Sequence, residues 1–445
     1  MSINNDVLIE NSTVGLISAT SNNVTIKPMN SDVNDEWILQ QVKTRRSFYA
    51  INIRESEKLK ENNDENVEEL ENCIEIKQNA SSSRLHYMIL TVLDTVFSAL
   101  VAAPAVVGYW RGTWGLSGAY IYPGNPSLST AASIVIGLVG LFFFNVVQHG
   151  FEELLHPDQH RLLYYFGSRC YTAVFGFCCV SAWRGAWLAL DLYTEHTPAT
   201  VFTTTGVSLL ALAFMRAIRN ISAPPFSLCM DTFPGYFEVQ TMFLLFHSNW
   251  LLYLLDCAFS VVVVGTLVVF VWRGVWILFD IYLFPTDREL SAIGSLVIGY
   301  IIVVVTFSLQ PLMRYICARL SLVARLIPAD LFLMLSFLGT VNVWRGIWGL
   351  LDLWLLPESP VLSCWITHVS CFVILVLLNC SNSVLVRGVY IDAEEDDGKC
   401  VAFPCHYLRL FFKVNRTRKE GSKATQLVGG FERLQTSAGW TDEGC

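Results

Sequence analysis

Two constellations in this chain hold residue types that could do chemistry. The first is His149-Gly-Phe-Glu152-Glu153-Leu-Leu-His156-Pro-Asp158-Gln-His160, three His and three acids in twelve residues. Imidazole and carboxylate ligate divalent metals. The spacing is not His-Glu-x-x-His, and Pro157 interrupts any helix that would set the groups on one face. The segment reads as a solvated loop, and no metal or other cofactor is expected. The second constellation is a repeated Trp-Arg-Gly-x-Trp. It occurs as Trp110-Arg111-Gly112-Thr113-Trp114, Trp183-Arg184-Gly185-Ala186-Trp187, Trp272-Arg273-Gly274-Val275-Trp276 and Trp344-Arg345-Gly346-Ile347-Trp348. Four copies at intervals of 73, 89 and 72 residues mark an internal repeat. Four residues beyond the second Trp stand Asp191, Asp280 and Asp352, but Gly118 in the first copy. Pro123, Pro285 and Pro357 then end three of the four turns.

Each residue type in the motif has a physical use at a membrane edge. Trp favours the interface, and two Trp at i and i+4 share a helix face. Gly lets a neighbouring helix come close. An Arg beside hydrocarbon must snorkel or pair. Each Asp follows its own Arg by seven residues, about 10.5 Å along a continuous helix, which is too far for direct pairing. Either the helix breaks near the Gly, or each Arg pairs with an Asp of another repeat; the second is favoured. The motif residues are expected to be interfacial anchors and bundle clamps. The sharper functional alternative is an Arg/Asp ring lining an external vestibule. There is no Gly-x-Ser-x-Gly, Walker A or Gly-x-Gly-x-x-Gly element, so no enzyme is expected.

The elements that must position these residues are transmembrane helices. The chain has 445 residues, 53% hydrophobic and only 15% charged, against about 25% charged in soluble domains. Between Arg84 and Arg387 every cation is Arg and there is no Lys. Apolar windows lie at about 88–110, 128–147, 165–187, 199–215, 250–276, 291–309, 328–348 and 361–386, each near the roughly twenty residues a bilayer requires. The fold class is therefore an all-α membrane protein of eight spans, arranged as four similarly oriented two-helix repeats. Residues 1–84 form a polar, acidic, largely disordered cytosolic tail, 85–390 the bundle, and 391–445 a second cytosolic tail. Nine loop and junction arginines on one side face five on the other, and four of the five belong to the motif. This places both termini in the cytosol. Asp94, Asp256 and Asp330 recur before the motif and are expected to cap the odd-numbered helices. Gly137, Gly140, Gly294, Ser295 and Gly299 are candidates for contact with partner helices. In the second tail, Cys400 and Cys405 are palmitoylation candidates. The basic aromatic segment 406–419 suits anionic lipid. No basic globular face for nucleic acid exists.

Eight spans with four Trp-Arg-Gly-x-Trp units resemble the Fuseless family of invertebrate multi-pass membrane proteins. The likeness covers about 88–390 and rests on Trp110-Arg111-Gly112, Trp183-Arg184-Gly185, Trp272-Arg273-Gly274 and Trp344-Arg345-Gly346. It implies a neuronal, presynaptic plasma-membrane protein that supports neurotransmitter release and calcium-channel organisation. Two function classes follow: an organiser that associates with other membrane proteins, calcium channels among them, and a transporter or channel with a pathway between the four hairpins. Few polar residues lie mid-span, which favours the organiser.

Overall fold

The structure is a computed structural model, and it describes residues 18–20, 23–25, 88–232, 235–245, 249–405 and 407. Most of the first tail and segment 406–419, apart from Tyr407, lie outside the described residues. The chain divides into two compact units, Met1–Leu90 and Thr91–Cys445. In the first, β1 (Ser18–Thr20) pairs antiparallel with β2 (Asn23–Thr25), Ala19 opposite Val24.

From Met88 onward the described chain is mainly helical. Seven helices are long and apolar enough to cross a membrane: α1 (Met88–Tyr120), α2 (Pro126–Val146), α3 (Arg161–Tyr193), α5 (Trp250–Tyr282), α6 (Arg288–Cys317), α7 (Leu322–Trp354) and α8 (Pro360–Leu377). The shorter apolar helix α4 (Pro198–Phe214) stands between α3 and α5 in sequence. The four helices that carry the motif, α1, α3, α5 and α7, are each 33 residues long. Each starts twenty-two residues before its first motif Trp. At 1.5 Å per residue they reach about 50 Å, longer than the hydrocarbon alone demands. No helix breaks at the motif glycine; each runs unbroken to Tyr120, Tyr193, Tyr282 or Trp354. In three repeats a left-handed residue then turns the chain just before the Pro: Tyr122, Phe284 and Leu356.

The returning helices start on defined caps. Asn125, Thr197 and Asp287 accept the amides of Leu128, Thr200 and Leu290, and Pro126, Pro198 and Pro360 stand at the start of the first turn. Each returning helix packs on the motif helix of the next repeat: α2 on α3, α4 on α5, α6 on α7, and α8 back on α1. The ring therefore closes. Close approach occurs where glycines sit. A Cβ on Gly137 would collide with Ala182 N, and one on Gly299 would stand 2.6 Å from Val343 N. Gly140 abuts Cys178 in the same way. These small residues are used inside the ring and do not form an outward docking face. The outward rows, such as Val135, Val139 and Phe143 on α2 and Val297, Ile301 and Val304 on α6, are exposed and apolar.

At the end opposite the motif, two irregular segments fill the bundle. After α4, Arg216 turns left-handed and a 3-10 turn runs Ile218–Ile221; after α8, Asn379 turns left-handed and a 3-10 turn runs Ser381–Val384. The last window, 361–386, thus overshot. Helix α8 ends at Leu377, and Val384 is apolar because it is buried under the bundle. Residues 391–405 pack here too and are not a separate tail; Leu228 N, for example, donates to Pro404 O at 3.3 Å. Cys400 and Cys405 are buried, which removes them as lipidation sites.

Candidate functional site

The motif builds two tiers of aromatic rings across the centre of the bundle. Neighbouring first tryptophans meet edge-to-face around a closed circuit: Trp110–Trp183 at 5.2 Å, Trp183–Trp272 at 5.5 Å, Trp272–Trp344 at 5.3 Å and Trp344–Trp110 at 5.7 Å. The second tryptophans repeat the circuit one turn on: Trp114–Trp187 at 5.7 Å, then Trp187–Trp276, Trp276–Trp348 and Trp348–Trp114 at 5.9 Å each. Quadrupole attraction favours this edge-to-face geometry. The i, i+4 spacing put both rings of each repeat on one face, as expected, but that face points to the axis and not to the membrane interface. Four convergent helices bury these rings together. Three indoles of the first tier also donate to the opposite segments: Trp110 to Val384 O at 2.9 Å, Trp272 to Ile221 O at 3.0 Å and Trp344 to Pro224 O at 2.8 Å.

Outside the tryptophans lies a ring of arginines, all at least nine-tenths buried. Three of the four take the Asp of the preceding repeat. Arg273 Nε lies 2.8 Å from Asp191, Arg345 Nη2 lies 2.8 Å from Asp280, and Arg111 Nε lies 2.7 Å from Asp352. The remaining guanidinium donors reach hydroxyls on the returning helix. Arg111 Nη2 bonds Ser363 at 3.0 Å, and Thr367 is also in reach; Arg345 bonds Ser291 and Ser295; Arg184 bonds Ser133 at 2.6 Å and Ser129 at 2.9 Å. The sequence held a signal for these hydroxyls. In repeats one, three and four they fall eighteen and twenty-two residues after the Arg. Repeat two has Val201 and Thr205 at the corresponding cap-relative places, and Thr205 turns to Val201 O. Arg273 instead approaches His196 Nε2 at 3.3 Å. The motif glycines set the ring's spacing. A Cβ on Gly112 would meet Cys364 O and His368 N at 2.6 Å, and Gly185, Gly274 and Gly346 face Ile134, Thr205 and Leu296 as closely.

The acids before the motif do not cap. Asn249 caps α5, and Ser321 precedes α7. Asp256 lies further in and accepts Thr241 Oγ1 at 2.7 Å and Phe243 N at 3.1 Å, so it anchors the incoming loop. Two acids that sequence reading passed over do the most visible work at the tail end. Asp231, in the first irregular segment, accepts Ser381 N, Ser381 Oγ and Asn382 N of the second at 2.9, 2.6 and 2.8 Å. Asp392, in the second, accepts Ile218 N and Arg219 N of the first at 2.7 Å each. Each segment thus caps the other's 3-10 turn. Burial pushes the Asp392 carboxyl above its ordinary value, against the pull of those two amides and of Arg219 and Arg216. A cavity of about 350 Å³ lies between these segments and the first Trp tier, with Arg219, Gln240 and Arg387 among its lining. Among the described residues no His, Cys, Asp and Glu group could hold a metal. The His149–His160 stretch forms a short helix, Gln148–Leu154, followed by turns.

Fold and site together define an integral membrane protein built as a closed helical ring with an aromatic centre. The chain belongs to the Fuseless family, whose profile matches residues 89–385. No curated protein and no solved structure matches it.

Proposed function

We propose that the protein is an eight-span plasma-membrane organiser that works by associating with other membrane proteins and moves no solute. One observation carries this reading: both Trp tiers fill the axis on which a pathway between the four hairpins would run. The reading treats α4 as the eighth span, since its 17 residues reach about 25 Å, close to the hydrocarbon thickness. Both termini are then cytosolic, in line with the arginine asymmetry. The presynaptic setting and the association with calcium channels are drawn from the family resemblance, which family membership supports. Purified protein in liposomes is expected to give no ion conductance and no flux of amines, sugars or lipids. Selective flux abolished by a motif substitution that preserves folding would favour the transporter instead. Protease digestion of a terminal tag from outside intact cells would overturn the topology. A calcium channel whose density at release sites is unchanged when the protein is removed would overturn the partner.

A further inference from the structure

The arginine ring is built on four equivalent positions but has only three carboxylates. Asp352, Asp191 and Asp280 serve Arg111, Arg273 and Arg345; the position that would serve Arg184 is Gly118. Among the described residues no carboxylate pairs with Arg184, although the residue is only 6% exposed. A buried guanidinium without a counter-charge is costly. Ser129 and Ser133 accept from Arg184 as neutral oxygens, and Ser129 donates its own hydrogen to Ile121 O, so neither supplies a counter-charge. Arg184 Nη1 and Nη2 donate to Ser133 and Ser129, the eighth and fourth residues of α2, near the N-terminal end of that helix. That end of the helix carries the positive pole of its dipole. A Cβ at 118 would stand 3.9 Å from Arg184 Nη2 and would meet no nearer atom. Glycine therefore leaves room where an Asp side chain stands in three other repeats. Gly118 is half-buried, and the equivalent Asp280, Asp352 and Asp191 side chains are 50%, 40% and 27% exposed, so protein does not seal this rim.

We infer that Arg184, between Gly118 and the first turns of α2, binds a small monovalent anion, chloride being the common one, from the aqueous phase at the motif end. The anion takes the place of the fourth carboxylate. Occupancy then stabilises the fold by mass action, because only the folded ring assembles the site.

The protein in zwitterionic nanodiscs should be melted in sodium chloride and in sodium gluconate at equal ionic strength. The wild type is expected to show a saturable rise of its midpoint with chloride. Gly118→Asp supplies the carboxylate within the chain, so its midpoint should be raised in gluconate and indifferent to chloride. Gly118→Asn, of the same size without charge, should gain no stability in gluconate; a Gly118→Asn protein stabilised there as Gly118→Asp is would overturn the counter-charge. Chloride-35 line broadening by the wild type, absent in Gly118→Asp, reads the ion directly and does not depend on how the variants fold. A wild type indifferent to chloride in both measurements overturns the site. So does a Gly118→Asp protein that responds as the wild type does, or stabilisation that follows anionic lipid and not chloride.

Discussion

Truncating Trp272 is the sharpest probe of the aromatic centre. In lipid the unfolded reference is also apolar, so hydrophobic transfer adds little and packing decides the cost. Trp272 faces three rings, Trp183 at 5.5 Å, Trp344 at 5.3 Å and Phe337 at 5.4 Å, and donates its indole N–H to Ile221 O at 3.0 Å. Edge-to-face pairs contribute about 0.5–1.5 kcal/mol each. The hydrogen bond adds about 1 kcal/mol and leaves a buried carbonyl when lost. Trp272→Ala should therefore cost about 4 kcal/mol. Trp276, one turn on, faces two rings among the described residues, Trp187 and Trp348 at 5.9 Å each, and is half-buried. Its truncation should cost about 2 kcal/mol. Trp272→Phe should fall between, keeping ring contacts and losing the N–H. Reversible unfolding in bicelles at fixed lipid composition measures all three. If Trp276→Ala costs as much as Trp272→Ala, or if Trp272→Ala stays within about 1 kcal/mol of the wild type, the two tiers are not what holds the centre.

Three further outcomes follow from the same geometry. Arg273→Ala should destabilise by about 3 kcal/mol, the low end for a broken buried pair, because the Asp191 side chain is 27% exposed. Adding Asp191→Ala should recover part of that loss in a double-mutant cycle, and strict additivity of the two changes would argue against the pair. Gly137→Ala should cost about 1–3 kcal/mol by forcing α2 off Ala182, while Gly150→Ala, which meets nothing within 4 Å, should be near neutral in the same unfolding measurement. Asp231→Ala should raise amide exchange across 379–384 while sparing α2; unchanged protection there would mean that the Asp231 cap is not holding the second segment.

Much of this architecture could be read from hydropathy and spacing because both report helix pitch. The seven-residue gap from Arg to Asp, too long for a pair on one helix, already pointed to pairing between repeats, and Arg273 with Asp191 has that arrangement. Other features left weaker traces. The windows ended near the motif because Arg and Asp lower hydropathy, yet the 33-residue helices run through it, their charges matched by neighbours. Hydropathy cannot tell lipid from protein interior, so Val384 read as part of a span although it lies under Trp110. The caps from Asp231 to Ser381 and from Asp392 to Ile218 join residues about 150 and 174 positions apart, and no local pattern marks them. The tryptophans read as interfacial because a single helix would place them there; only four helices meeting together turn them inward.

The way the ring closes bears directly on function. Alternating access needs one element to rock against another between two packed arrangements. Here each hairpin reaches past its own unit. Its returning helix packs on the next motif helix, and its Asp neutralises the next repeat's Arg wherever an Asp is present. No cut through the ring separates two halves without breaking such an interlock. The junction of first and fourth repeats is closed by α8 on α1 and by Arg111 with Asp352. The opposite cut, between second and third repeats, crosses α4 on α5 and Arg273 with Asp191, and would also break the reciprocal caps of Asp231 and Asp392. A body fastened on every seam resists the rocking that transport requires and keeps its outward apolar rows in fixed relation. Fixed outward rows suit a protein that holds neighbours in place.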